Sequence, residues 1–187
     1  MWLVSPYWRG RLSPIFFRAL GMPTLDVPPA VMRVAGACTA VRAGCRFGGR
    51  EQVFQSALEA ELQSRRMATR RELVMPVLYA GVPLGHDVRG REDLVVLEDG
   101  AHVIVEIKQA RRLEQKDFLQ LYRYLENRRV GGVAAHGMLI LFGDVHDEAW
   151  YARLDDDGTV HRAELFRVPV EPPAVVTYES CARALDV

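Results

Sequence analysis

The sequence predicts an α/β domain, a mixed β-sheet flanked by helices. Three observations carry that expectation. Stretches 51–67 and 113–129 are amphipathic at helical spacing, three strand-like runs lie between them, and a short apolar run follows the second. A chain of 187 residues can bury one sizeable core, and its 49% apolar and 26% charged content is ordinary for a globular protein.

Residues 1–46 read differently from the rest. They hold Pro6, Pro14, Pro23, Pro28 and Pro29, and six arginines against the single acid Asp26. Poor periodicity with Pro/Gly punctuation predicts a loop or partly ordered arm. Such an arm is either a leader, with Met22 or Met32 as the start, or a basic segment that touches nucleic acid.

The core is expected over 47–145. Val53, Phe54, Ala57, Leu58 and Leu62 recur at helical spacing, with charges opposite. Leu73, Met75, Val77 and Tyr79 then alternate as a strand, and Pro76 marks it as an edge strand or a bulge. "AGVPLGHD" turns the chain. Runs 93–98 and 101–108 are β-rich and joined by the tight turn "EDGA". Leu113, Phe118, Leu121, Tyr122 and Leu125 form the apolar stripe of the second helix, and "GMLILFG" is a short buried strand. Residues 146–187 read as an extension, a hairpin turned at Asp157–Gly158 and an irregular tail.

Composition excludes several functions. Lysine plus arginine equals aspartate plus glutamate, 24 each, so no global field draws the protein to a polyanion. Any such binding must come from local basic clusters. Cys38, Cys45 and Cys181 lack CxxC spacing and the four ligands of a zinc or iron–sulfur cage, so they read as buried or idle thiols in a reducing, cytoplasmic setting. No run approaches the roughly 20 apolar residues of a membrane span.

The candidate chemistry lies in "DLVVLEDGAHVIVEIKQ" (93–109). A tight antiparallel hairpin brings the head of its first strand, Asp93, beside the tail of its second, Glu106 and Lys108. Glu106 and Lys108 are two apart and share one face, and Ile107 points the other way. Two carboxylates and a lysine on one sheet face suit a hard cation with a water beside it. Mg²⁺ takes oxygen ligands, needs one or two carboxylates, and activates water for phosphodiester cleavage. Alone, these residues favour the reading of solvated strand ends with a surface salt bridge. Glu51, in the first turn of its helix, is either a further acid or a charge suited to the helix dipole. Gln120 and Tyr124 share a helix face with Lys116 and either meet the site or pack at the core edge. Arginine pairs at 65–66, 70–71, 111–112 and 128–129 offer phosphate contacts, with Arg111 and Arg112 favoured by their closeness to Lys108.

Together these residues resemble the GxxExxY family of the PD-(D/E)XK nuclease superfamily. "GGREQVF" (48–54) is similar to the naming motif through Gly48, Glu51 and Phe54, with phenylalanine for tyrosine. "YAGVPLG" resembles the tyrosine-x-glycine turn, "RED" the Arg-x-Asp ending in Asp93, and "VIVEIK" the Glu-x-Lys half. "LQLYRYL" carries the Gln-x-x-x-Tyr element also found in RecB-like and Cas4-like members, and "GMLILFG" resembles the closing strand, with Leu141 for asparagine. The four-cysteine cluster of Cas4 is absent.

The resemblance implies a restriction-endonuclease-like core and a metal-dependent nuclease using Mg²⁺ or Mn²⁺, with DNA favoured over RNA as substrate and neither excluded. It implies Asp93 and Glu106 as metal ligands and Lys108 as the residue positioning the water. Glu51 is implied as an auxiliary acid, Gln120 and Tyr124 as supporting or phosphate-contacting groups. The alternative is a nucleic-acid-binding or interaction module that keeps the fold without catalysis. A homodimer is compatible with either reading.

Overall fold

A computed structural model describes residues 26–45, 50–79, 82–83, 89–98 and 100–170. Helices α1 (Pro29–Gly44) and α2 (Glu51–Ser64) precede strand β1 (Ala68–Pro76). A small two-stranded hairpin, β2 (Leu78–Tyr79) and β3 (Val82–Pro83), leads to β4 (Arg89–Glu98) and β5 (Ala101–Lys108). Helix α3 (Gln115–Val130) crosses to β6 (Ala135–Phe142), and β7 (His146–Leu154) and β8 (Val160–Pro169) follow.

One six-stranded sheet runs β1-β4-β5-β6-β7-β8. Its pairings are antiparallel except β5–β6, the one pair joined by a helical crossover, as a parallel pair requires. The mixed sheet flanked by helices is therefore as expected. The edge position of β1 explains how it accommodates Pro76, which has no N–H for an interior ladder.

Side-chain alternation sorts β5 between two packing layers. Val103, Val105 and Ile107 join Phe54, Leu58 and Leu62 of α2 and Val31, Val34 and Cys38 of α1 in the larger core. Ile104 faces the other way, onto Leu121, Tyr124 and Leu125 of α3. That period of two also sends Glu106 and Lys108 to the α3 face.

Residues 29–44, expected within a loop-like arm, form α1. Its residues are small and apolar on nearly every side, which blurs amphipathic contrast, yet Ala30, Val31, Val34, Ala35, Ala37, Cys38 and Val41 are buried. Pro29 stands at the first helical position, where its missing N–H does no harm. Arg42 locks this helix to the sheet. Its Nε donates to Asp147 Oδ2 at 2.7 Å, and its Nη2 donates to the Gly143 carbonyl at 2.9 Å. The guanidinium lies 5.1 Å from the ring centre of Phe54, which stacks on Phe142 at 4.4 Å. Phe54, standing where the resembled motif has tyrosine, is thus a core residue. Cys38 is buried in the same layer, and burial pushes its thiol pKa up, as an idle thiol requires.

The hairpin of the C-terminal extension continues the sheet, with β7 paired to β6 from Gly137↔Ala152 to Phe142↔Asp147. The basic segment 1–25, the Gly48-Gly49 turn, Gly81, Cys181 and the tail from 171 lie outside the described residues.

Strand β4 turns a corner at Asp93. Its ladder with β5 ends at Leu94↔Val105, and its ladder with β1 skips from Arg71↔Leu94 to Leu73↔Glu92. The skipped partner, Glu72, has φ +50°, in the left-handed region that non-glycine residues seldom adopt. Residues 90–92 then lie against α3. Gly90 sits so close beneath Tyr124 that an added Cβ would fall 2.8 Å from the ring.

Candidate active site

The corner and the tail of β5 bring the expected residues together. Asp93 leaves the ladder, and its Oδ2 accepts the backbone N–H of Ile107 at 2.9 Å. This bond ties the two carboxylate-bearing strands where their ladder ends. Gln55 of α2, buried, also hydrogen-bonds the Asp93 carboxylate. Sequence analysis did not single out Gln55, because it sits between the apolar Phe54 and the exposed Ser56 on an otherwise ordinary helix. Its burial beside a charged residue becomes visible only once α2 is packed.

Glu106 is fully buried. Its Oε1 accepts from Lys108 Nζ at 2.5 Å and from Gln120 Nε2 at 2.6 Å. Its Oε2 is buried without a hydrogen-bond partner. Gln120 Nε2 also lies 3.0 Å from the Tyr124 hydroxyl, and Gln120 Oε1 accepts from Lys108 at 3.4 Å. The Tyr124 hydroxyl donates to the Arg91 carbonyl at 2.6 Å. Helix α3 therefore grips both strands, through Gln120 on β5 and Tyr124 on β4. Its first turn is fixed by Asp117, whose Oδ2 accepts the Glu114 N–H at 2.8 Å.

The electrostatics are those of a cluster with too much negative charge. Burial, then the nearby charge of Asp93, pushes the Glu106 carboxyl up to about 8, against the pull of Lys108. Burial likewise raises Asp93, against its hydrogen bond from Ile107 and the charge of Lys108. Burial by itself would depress Lys108, but the Glu106 hydrogen bond and the charges of Glu106, Asp93 and Glu51 outweigh it and raise the ammonium pKa. Glu51, the first residue of α2, acts on this cluster through its charge. The charges of three carboxylates thus act on one ammonium.

The comparisons bear on the same stretch. A sequence-family model of the PD-(D/E)XK nuclease superfamily matches residues 29–154, more than half of the chain. The chain belongs to the PD-(D/E)XK nuclease superfamily. No curated protein matches it. The crystal structure of SSO0001 is similar over 83% of this chain and 70% of its own, with 15% identity and a TM-score of 0.37. The matched span of this PD-(D/E)XK chain begins at α1 and ends with β7, so it takes in the helix that periodicity did not resolve.

The arginine pairs separate only in part, since Arg66 and Arg70 are exposed as Arg111 and Arg112 are. Arg65 bonds Glu61 at 2.6 Å, Arg71 lies 3.5 Å from Glu59, and Arg129 bonds Glu126 at 2.6 Å. Arg128 is buried and bonds Glu92 at 2.6 Å. These four are engaged within the protein, whereas Arg111 and Arg112 are exposed on the loop directly after Lys108. Lys116, expected in the polar stripe with Gln120 and Tyr124, turns to Glu114 at 2.8 Å on the surface. At the start of α3 the ammonium meets the oppositely charged Glu114 instead.

Proposed function

We propose that this PD-(D/E)XK chain is a divalent-metal-dependent nuclease of the GxxExxY kind, hydrolysing phosphodiester bonds of DNA. The observation that carries the reading is the buried, unpartnered Oε2 of Glu106 beside a second carboxylate. An anionic oxygen withdrawn from water is costly unless a cation meets it. Lys108 meets only Oε1.

The donor set fits Mg²⁺ or Mn²⁺. Among the described residues no three His, Cys, Asp or Glu side chains group to cage an ion. Mg²⁺ asks for less, one or two carboxylates with waters and substrate oxygens completing its shell. Asp93 and Glu106 would hold it. When bound, such an ion supplies polarisation of the scissile phosphate and a lower pKa for its water.

The other roles follow from reach and charge. Lys108, kept protonated by its carboxylate neighbours, orients the attacking water and offsets negative charge developing on the phosphate. Gln120 holds Glu106 and Lys108 in one arrangement, and Tyr124 holds Gln120 and β4. Glu51 adds negative charge as an auxiliary acid. Arg111 and Arg112 receive phosphates flanking the cut. Helix α1 packs into the larger core, so the core begins ahead of residue 47, and β7 and β8 extend its sheet; we place the protein in the cytoplasm. No described helix is long and apolar enough to cross a membrane.

Incubating the purified chain with single- and double-stranded DNA and RNA, with Mg²⁺, Mn²⁺ or chelator, tests the reading. Metal-dependent DNA cleavage that disappears in Asp93→Ala supports it. Cleavage indifferent to metal or to Asp93 would sink it.

A further inference from the structure

Behind the carboxylates lies a buried ion pair that the proposed chemistry does not use. Glu92 is fully buried next to Asp93, and Arg128 has a side-chain exposure of 9%. Arg128 Nη2 donates to Glu92 Oε2 at 2.6 Å and Nε lies 3.3 Å from Oε1, a two-pronged contact. A third nitrogen, Nη1, lies 3.1 Å from His102 Nδ1 on β5. A guanidinium only donates, so Nδ1 is the acceptor and the imidazole is neutral with its proton on Nε2. Burial, then the charge of Arg128, holds the His102 pKa below its usual value, consistent with that state.

This three-way contact is incompatible with a straight β4. His102 pairs with Leu97, five residues from Glu92. At about 3.3 Å per residue, a straight strand would carry Glu92 roughly 16 Å along the sheet from His102. The odd separation would also put Glu92 on the sheet face opposite His102, so one guanidinium on α3 could not meet both. The contact exists because β4 turns at Asp93 and lays residues 90–92 back against α3. Arg128 follows Gln120 and Tyr124 at steps of four, so successive turns of α3 hold Glu106, the Arg91 carbonyl and Glu92.

We infer that Glu92, Arg128 and His102 form a clamp that holds the corner of β4 and thereby aims the Asp93 carboxylate at the metal position. They are positioning residues, and the inference rests on the proposed metal site. Buried ion pairs are poor sources of net stability compared with apolar residues of the same volume, so stability alone is a weak reason for one here. A forked, directional contact sets geometry in a way an apolar pair would not.

The test uses the full chain and Mn²⁺ alone as probe, by titration calorimetry and by the Mn²⁺ dependence of cleavage. Arg128→Lys keeps the charge but loses the fork, and the double variant Glu92→Leu/Arg128→Met removes the polar clamp while filling its volume. Groups that orient metal ligands typically change metal affinity by about 10–100-fold when lost. Both variants should therefore bind Mn²⁺ about tenfold or more weakly, with kcat restored at saturating Mn²⁺. Leu125→Ala, a core truncation on the same helix, should lower Tm and leave Mn²⁺ affinity unchanged. If the double variant does not fold, Arg128→Lys decides. Variants that fold and bind Mn²⁺ like wild type overturn the clamp alone. A wild-type chain that binds no Mn²⁺ overturns the metal site and the clamp together.

Discussion

Lys108 donates to Oε1 of Glu106 at 2.5 Å, while Oε2 of the same carboxylate is buried with no partner. Lys108 therefore satisfies only one of the two buried carboxylate oxygens. The half-satisfied carboxylate predicts a trade between stability and activity. Glu106→Gln should stabilise the metal-free chain at pH above about 8, on the order of 1–3 kcal/mol by relieving a buried charge, and abolish cleavage. Thermal unfolding in chelator, beside a cleavage assay, reads both. A destabilised or active Glu106→Gln would contradict the assignment.

Lys108 orients water and offsets charge, so its loss should strike the rate more than metal binding. Lys108→Ala is expected to lower kcat by about 10²–10³, the usual effect of removing one preorganised donor. Mn²⁺ affinity should persist, because both carboxylates remain. Loss of Mn²⁺ binding with normal residual kcat would place Lys108 elsewhere in the mechanism.

The raised Glu106 carboxyl gives a pH dependence with a definite sign. Unfolded, it ionises near its ordinary 4.5, and folded near 8. The folded state therefore holds the extra proton across this window. Its contribution to stability is fully present below about 4.5 and is lost as pH rises through about 8. Metal must displace that proton, so Mn²⁺ should raise Tm more at pH 8.5 than at pH 6. Melting curves across this range, with and without Mn²⁺, check it, and Glu106→Gln should flatten the metal-free dependence. A Mn²⁺ stabilisation that shrinks with rising pH would count against the scheme.

Tyr124 and Gly90 are coupled by contact. Tyr124→Phe removes the hydroxyl that satisfies the Arg91 carbonyl, with an expected loss of about 1 kcal/mol in stability. Gly90→Ala would press a methyl to 2.8 Å from the Tyr124 ring, with an expected loss of about 1–3 kcal/mol. Chemical denaturation measures both. The double variant should fall short of the sum, since each change disturbs the same contact. Full additivity would mean the ring does not hold the strand.

Much of the fold was legible because local patterns agreed with tertiary packing. The stripes of α2 and α3 match the buried Phe54, Leu58 and Leu62, and Leu121 and Leu125. The turn signal in "EDGA" predicted the β4–β5 hairpin, and with it the proximity of Asp93 to Glu106 and Lys108. Helix α1 escaped because small apolar residues on most sides erase amphipathic contrast, although Pro29 at its first position and the spacing of Val31, Val34, Cys38 and Val41 were available signals. The corner at Asp93 had little local signature, since the nearest glycine, Gly90, stands three residues before it. It is held by Arg128, 36 residues from Glu92 in sequence, whose doublet with Arg129 read as one more candidate phosphate contact. Gln55 was hidden for a related reason, its role depending on a strand that packs beside it only in the folded chain.

The most direct measurement of the central claim is a crystal structure of the chain grown or soaked with Mn²⁺, with anomalous data. The account predicts one anomalous peak between the carboxylates of Asp93 and Glu106, within coordination distance of Glu106 Oε2, lost in Asp93→Ala. Full Mn²⁺ occupancy elsewhere, with Glu106 Oε2 still unpartnered, would contradict it.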